Sequence, residues 1–243
     1  MNNTAKKIKK PAIVIMKREL NSYFSSPIAY IVTGLFLIIT GVLFFTTFFL
    51  QNRASLRNMF SLMPITLSFF IPALTMRLYS EEKRSGSIET LYTLPVTEFD
   101  AVCGKFLAAL TASAAMVAPT LIYLISMLPF GLPEPGPVAG GYLGTLFLCA
   151  AFSAIGVFAS SITKNQIIAF FTAFIICIVL TMISEFLIFL PGPIVEFLSF
   201  ISANQHFTSI SRGIIDTRDL VYFVSLTAFF FSLTVICQQN ERK

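Results

Sequence analysis

Residue types able to carry chemistry are few in this chain, and their spacing serves none of the common reactions. His206, the one histidine, has no second ligand at a zinc-binding interval, so it reads as a hydrogen-bonding side chain rather than a metal ligand or general base. Cys103, Cys149, Cys177 and Cys237 lie in or beside different apolar runs without a C-x-x-C pair and read as small packing residues. A phosphate-cradling loop is also missing, because the single Gly-Lys pair is Gly104-Lys105 and Phe99 stands where a P-loop needs its first glycine. Glu185 is the one acid within an uncharged run of bilayer length, which makes it a candidate intramembrane polar site. Its closeness to Pro191 also lets it reach an interface. No catalytic, cofactor-binding or metal residue is expected. A membrane-embedded enzyme would need paired polar groups at depth, and an ion-coupled carrier would need several buried acids and internal repeats.

The stretch from Arg77 to Lys105 is the one polar island in the first two thirds of the sequence, and long apolar runs bound it on both sides. Arg77, Lys83, Arg84 and Lys105 mark it as a cytoplasmic loop. Ile88, Leu91 and Tyr92 fall at i, i+3 and i+4, one apolar stripe on a short amphipathic helix that starts near Ser85 and Gly86 and stops at Pro95. Thr97 precedes Asp100 by the spacing of a helix cap, so the loop is expected to be helix, turn, helix.

The ordered string Glu81-Glu82-Lys83-Arg84-Ser85-Gly86-Ser87-Ile88-Glu89-Thr90-Leu91, then Leu94-Pro95-Val96, then Gly104-Lys105, resembles the intracellular loop of type-2 ABC exporter permeases. That resemblance implies a coupling helix docking on an ATPase subunit, with Glu81, Glu82, Gly86, Ile88, Glu89, Leu91, Tyr92 and Pro95 as the contact residues.

Stepping from these residues to what must hold them, a chain of 243 residues that is 56% apolar and only 12% charged is an integral membrane protein. No polar segment is long enough for a core of its own, so residues 1–243 are expected to form a single transmembrane domain. Residues 1–27 comprise a lysine-rich tail and an interfacial helix whose apolar face is Ile13, Met16, Leu20 and Phe24; no cleaved signal is expected. Six runs follow within residues 28–238: Ile28–Leu50, Met59–Met76, Phe106–Leu128, Tyr142–Ile162, Ile167–Leu190 and Leu220–Cys237. Each is long enough to cross a hydrocarbon core of about 30 Å and must be a helix to satisfy its backbone. Pro64, Pro72 and Pro119 predict kinks. With both termini inside, residues 239–243 forming a cytoplasmic tail, thirteen of the 17 basic residues lie on the cytoplasmic side. Small residues at Gly140-x-x-x-Gly144 and Gly156-x-x-x-Ser160 permit close helix approach, with no partner assignable from the spacing.

Between the fifth and sixth runs, Ile194, Phe197, Leu198 and Ile201 make a stripe too short to span, either an interfacial helix or half of a re-entrant hairpin. Arg212, Asp216, Arg218 and Asp219 follow, near enough in sequence to pair or to meet a partner's charges, and Asp219 is expected to cap the sixth helix. Gln205-His206-Phe207, Ser209-Ile210, Arg212-Gly213, Ile215-Asp216 and Arg218-Asp219-Leu220 with Tyr222-Phe223 are similar to permeases grouped with the gliding-motility-associated ABC transporter. Lys17-Arg18-Glu19-Leu20 with Tyr23-Phe24-Ser25-Ser26-Pro27 fits the same group.

The combined expectation is an all-α permease of a bacterial cytoplasmic membrane that carries no cofactor itself. It would work with two copies of an ATPase subunit that bind ATP and Mg, beside a second permease copy or a related permease with a large outer domain. Phe197, Leu198, Ile201, His206, Arg212, Asp216, Arg218 and Asp219 would form an outer gate or partner contact. Membrane lipids are expected neighbours and nucleic acid is not.

Overall fold

The computed structural model describes residues 10–51, 55–93, 95–131, 133–186, 198–214 and 216–242, without the side chains of residues 51 and 90–92. All elements among the described residues are helical. They are α1 (Pro11–Ser25), α2 (Pro27–Gln51), α3 (Arg57–Thr75), α4 (Ser80–Ser85), α5 (Ser87–Thr93) and α6 (Glu98–Val117). Then come α7 (Leu121–Met127), α8 (Pro135–Ser161), α9 (Gln166–Phe186), α10 (Ala203–Ser211) and α11 (Thr217–Arg242). Residues 198–201 are also helical. Pro119 lies in a 3-10 turn, Ala118–Thr120, that breaks the third apolar run into α6 and α7. Pro64 and Pro72 instead lie inside an unbroken α3.

Among the described residues, six helical stretches are long and apolar enough to cross a membrane, and they coincide with the six apolar runs. Several extend past them: α6 starts at Glu98 and α8 at Pro135, because helical hydrogen bonding continues after hydrophobicity ends. The apolar windows of α3 and α8 are 67% and 72% buried, whereas those of α2, α9 and α11 are at most 22% buried. A helix pair at the centre is therefore surrounded by helices that present apolar surface to their surroundings.

Small residues decide how close these helices come. A Cβ on Gly156 would stand 1.9 Å from Thr75 Oγ1, and one on Gly140 would stand 2.2 Å from the Ile210 carbonyl oxygen. Gly156 thus seats α8 on α3, while Gly140 and Gly144 seat α10. That short helix buries Ala203, Phe207 and Ile210 completely, so it is tucked into the bundle rather than lying flat on an interface. Phe197 lies outside the described residues; Leu198 and Ile201 are half-buried.

The helix before the first span turns a second face to the bundle. Its bundle-facing residues are Ile15, Glu19 and Tyr23, whereas Phe24, on the apolar stripe expected to lie in the membrane interface, is 51% exposed. The backbone of α1 crosses α6 at Gly104, where a Cβ would meet the Ala12 carbonyl oxygen at 2.7 Å. A carboxylate faces inward because a lysine waits there.

Candidate functional site

Lys105 is completely buried near the start of α6, a placement that an ammonium tolerates only with partners. Its Nζ donates to the Leu78 carbonyl at 2.5 Å and to Glu19 Oε1 at 3.3 Å, and it lies 2.8 Å from Glu82 Oε2. The Glu82 contact is an ion pair whose angle falls short of a hydrogen bond. The ammonium also sits 4.6 Å from the centre of the Tyr79 ring. Arg18 completes the cluster from the wet side, 2.6 Å from Glu19 and 2.5 Å from Glu82. Two cations and two carboxylates from α1, α4 and α6 thus close on one another.

Protonation follows from this geometry. Burial pushes the Glu19 pKa up, but Lys105 and Arg18 outweigh it and hold the carboxyl below its ordinary range. Burial acts against the Arg18 charge in the same way, and Glu19 and Glu82 again prevail, so its pKa is raised. Next to this cluster, the Arg77 guanidinium lies 4.5 Å from the centre of the Tyr23 ring. Burial pushes the Tyr23 phenol upward, and its hydroxyl donates to the Leu74 carbonyl.

The rest of the loop is fastened equally firmly. Ser160 Oγ at the end of α8 accepts from the backbone N–H groups of Tyr79 (2.9 Å) and Ser80 (3.1 Å), donors that the first turn of α4 leaves without helical partners. The same hydroxyl donates to the Met76 carbonyl at 3.0 Å. Lys83 donates to the Ser161 carbonyl and pairs with Glu241, and Arg242 pairs with Glu98 and donates to the Val96 carbonyl. These bonds place α1, the 77–98 loop, the α8–α9 turn and the end of α11 at one end of the bundle. At the opposite end, Arg57 and Glu134 pair across two other connections.

Gly86, at φ +75°, reverses the chain between α4 and α5, a conformation that glycine adopts without steric cost. Thr97 caps α6 as its spacing predicts, accepting from the Asp100 N–H at 3.2 Å. The helix expected to begin near Ser85 and Gly86 is α5, and a further short helix, α4, precedes it. Ile88, expected at the ATPase contact, is 9% exposed and packs against the bundle's own core. Glu81, Glu89 and Pro95 are exposed, and the side chains of Leu91 and Tyr92 lie outside the described residues. A polar cleft of about 490 Å³ separates α5 from the α8–α9 turn, with Lys83, Glu89, Lys164 and Glu241 on its walls.

The other expected cluster gathers only in part. His206 Nδ1 is 2.6 Å from Asp219 Oδ1, its Nε2 is 3.0 Å from the Phe200 carbonyl oxygen, and its ring stacks 4.2 Å from that of Tyr222. Tyr222 donates to the Ile201 carbonyl at 2.6 Å. Asp219 is buried in the first turn of α11 instead of capping it. The cap is Asp216, whose Oδ1 accepts from the Arg218 N–H at 3.0 Å. Arg212 and Arg218 are exposed and form no ion pair among the described residues, and Glu185 is exposed at the end of α9 rather than facing the bundle interior. Among the described residues no group of three metal-ligating side chains converges. Sequence spacing missed Lys105 and Glu19 as partners; the only signal was a lysine directly before the apolar run that begins at Phe106.

Among the described residues, six membrane-length helices with a short two-helix loop clamped at one end define a multi-pass membrane protein. The chain belongs to the ABC-2 family transporter proteins, whose family model matches residues 45–237. It is accordingly an ABC permease, a class that associates with an ABC ATPase. No curated protein matches the chain.

Proposed function

We propose that this chain is the permease subunit of an ATP-driven exporter, embedded in a bacterial cytoplasmic membrane with both termini and the α4–α5 loop in the cytoplasm. Two copies of a separate ATPase subunit bind ATP and Mg and press on the exposed face of α5. A second copy of the chain or a related permease with a large outer domain completes the pathway, and the motifs resemble those of the gliding-motility-associated group. The movement drives translocation of a substrate or transmits force to an outer partner.

The observation that carries this reading is the clamping of α4 through Lys105, Glu82, Arg18, Lys83 and Ser160 onto α1, α6, α8 and α11. A loop tied at so many points moves as one body with the helices beneath it, as force transmission requires. Leu91→Glu tests it: the variant should insert and fold normally yet lose the ATPase on co-purification in mild detergent, since an unpaired charge in a packed contact costs several kcal/mol. Retention of the ATPase at wild-type stoichiometry would remove α5 as the contact. Cysteines placed at Asn240 and Arg212 should label from opposite sides, Asn240 from the cytoplasm.

A further inference from the structure

His206 is the one imidazole in the chain, and both of its ring nitrogens face oxygen acceptors. Nδ1 lies 2.6 Å from Asp219 Oδ1, and Nε2 lies 3.0 Å from the Phe200 carbonyl oxygen. A neutral imidazole owns a single N–H, so beside an ionised carboxylate it donates to one of these oxygens and turns a lone pair on the other. Two placements of protons satisfy both contacts: an imidazolium beside a carboxylate, or a neutral ring beside a protonated Asp219. Each holds one proton more than a neutral ring beside an ionised carboxylate. The geometry thus fixes how many protons the pair carries.

The surroundings favour the ring as the place for that proton. The imidazole stacks on Tyr222, with ring centres 4.2 Å apart and planes 20° from parallel, an arrangement that stabilises a cation over the aromatic face. The side chains of His206 and Asp219 are only 11% and 8% exposed, and Asp219 Oδ2 is buried with no hydrogen-bond partner among the described residues. The carboxylate charge is therefore balanced from one side, by His206. No other ionised group forms an ion pair with either residue among the described residues. Arg212, Asp216 and Arg218 around the start of α11 and Glu185 at the end of α9 are exposed, while Arg57 at the start of α3 and Glu134 just before α8 pair with each other.

We propose that His206 is a proton-operated latch on α10. With the extra proton in place, the ring ties α10, which carries it, to the first turn of α11 through Asp219 and to residues 198–201 through the Phe200 carbonyl. Loss of the proton leaves one N–H for two acceptors, and one of the two ties opens. The latch is closed at low pH and opens as pH rises through the range in which imidazole titrates. Ser202 still caps α10 and Tyr222 still holds the Ile201 carbonyl, so opening loosens the helix without unfolding it. Because α10 rests on Gly140 and Gly144 of α8, the latch sets how tightly this short helix is held on the centre of the bundle. In the orientation proposed above this end meets the external medium, but the latch stands on the local geometry and not on that orientation or on an ATPase.

A single histidine makes the test direct, since isotope-labelled histidine reports one ring. The full chain, purified in mild detergent through a tag free of histidine, is read by nitrogen NMR at about pH 5 and about pH 8. Both ring nitrogens should be protonated at the lower pH and only one at the higher. An unprotonated ring nitrogen at the lower pH, or the same charge state at both, overturns the latch. Hydrogen-exchange protection of α10, corrected for the intrinsic pH dependence of exchange, should be about tenfold greater at the lower pH, with that of α8 unchanged. His206→Gln keeps a donor and an acceptor but does not titrate, so its α10 protection should be equal at the two pH values; a folded variant that keeps the wild-type pH dependence overturns the assignment to His206. Helical content and oligomer size establish that the variant is folded, and if it is not, the wild-type spectra and exchange decide the matter by themselves.

Discussion

Replacing Lys105 by methionine isolates what the buried charge cluster contributes, because the side chain's length and packing are nearly kept while the ammonium is lost. In the native arrangement two cations face two carboxylates, and Lys105 alone of the four is completely buried. Without it, Glu19 and Glu82 share Arg18, whose side chain is 51% exposed and correspondingly screened. The Leu78 carbonyl also loses its 2.5 Å donor. Breaking a buried pair from one side costs about 3–5 kcal/mol, much of it from the uncompensated partner. The expected loss for Lys105→Met is of that order, read as the change in unfolding free energy in detergent titrated with denaturant. Glu82→Gln added to Lys105→Met should recover part of the loss, since the double variant again balances one cation against one carboxylate, and the coupling of the two changes should be about 0.5–3 kcal/mol. A single-variant loss under about 1 kcal/mol, the value of an exposed surface pair, would refute the view that this cluster holds the loop to the bundle.

Acidification should act through Glu19. Its pKa is lower when folded than when unfolded, so its contribution is complete above the ordinary carboxylate value of 4.5 and disappears as pH falls below that value. Denaturant unfolding between pH 7 and pH 3 should therefore show a loss that Glu19→Gln abolishes. Gly156→Val should destabilise by about 1–3 kcal/mol or more, because its Cβ would stand 1.9 Å from Thr75 Oγ1, whereas Gly136→Ala, with nothing within 4 Å, should be neutral on the same thermal assay. Asp219→Asn replaces a carboxylate that accepts from His206 at 2.6 Å, and should cost about 1.5–3 kcal/mol and expose α10 to hydrogen exchange ahead of α8; uniform exchange in both helices would count against that docking.

The six membrane helices were legible in the chain itself, since each is a run of uncharged residues whose backbone has no partner in lipid but itself. So was the Thr97 cap, set by residues three positions apart. The small-residue pairs announced close approaches without saying to what: Gly156 meets α3, yet Gly140 meets the short α10, which is not a membrane span. The inward face of α1 was not legible from periodicity because Glu19 belongs to it, and a carboxylate counts as polar until its partner is known. That partner, Lys105, is 86 residues away in sequence. The same limit moved Asp219 from a cap to a buried histidine contact. Hydrophobicity and capping act over one or two helical turns and are written locally. The pairing of buried charges depends on which helix ends meet, and that is settled only when the bundle closes.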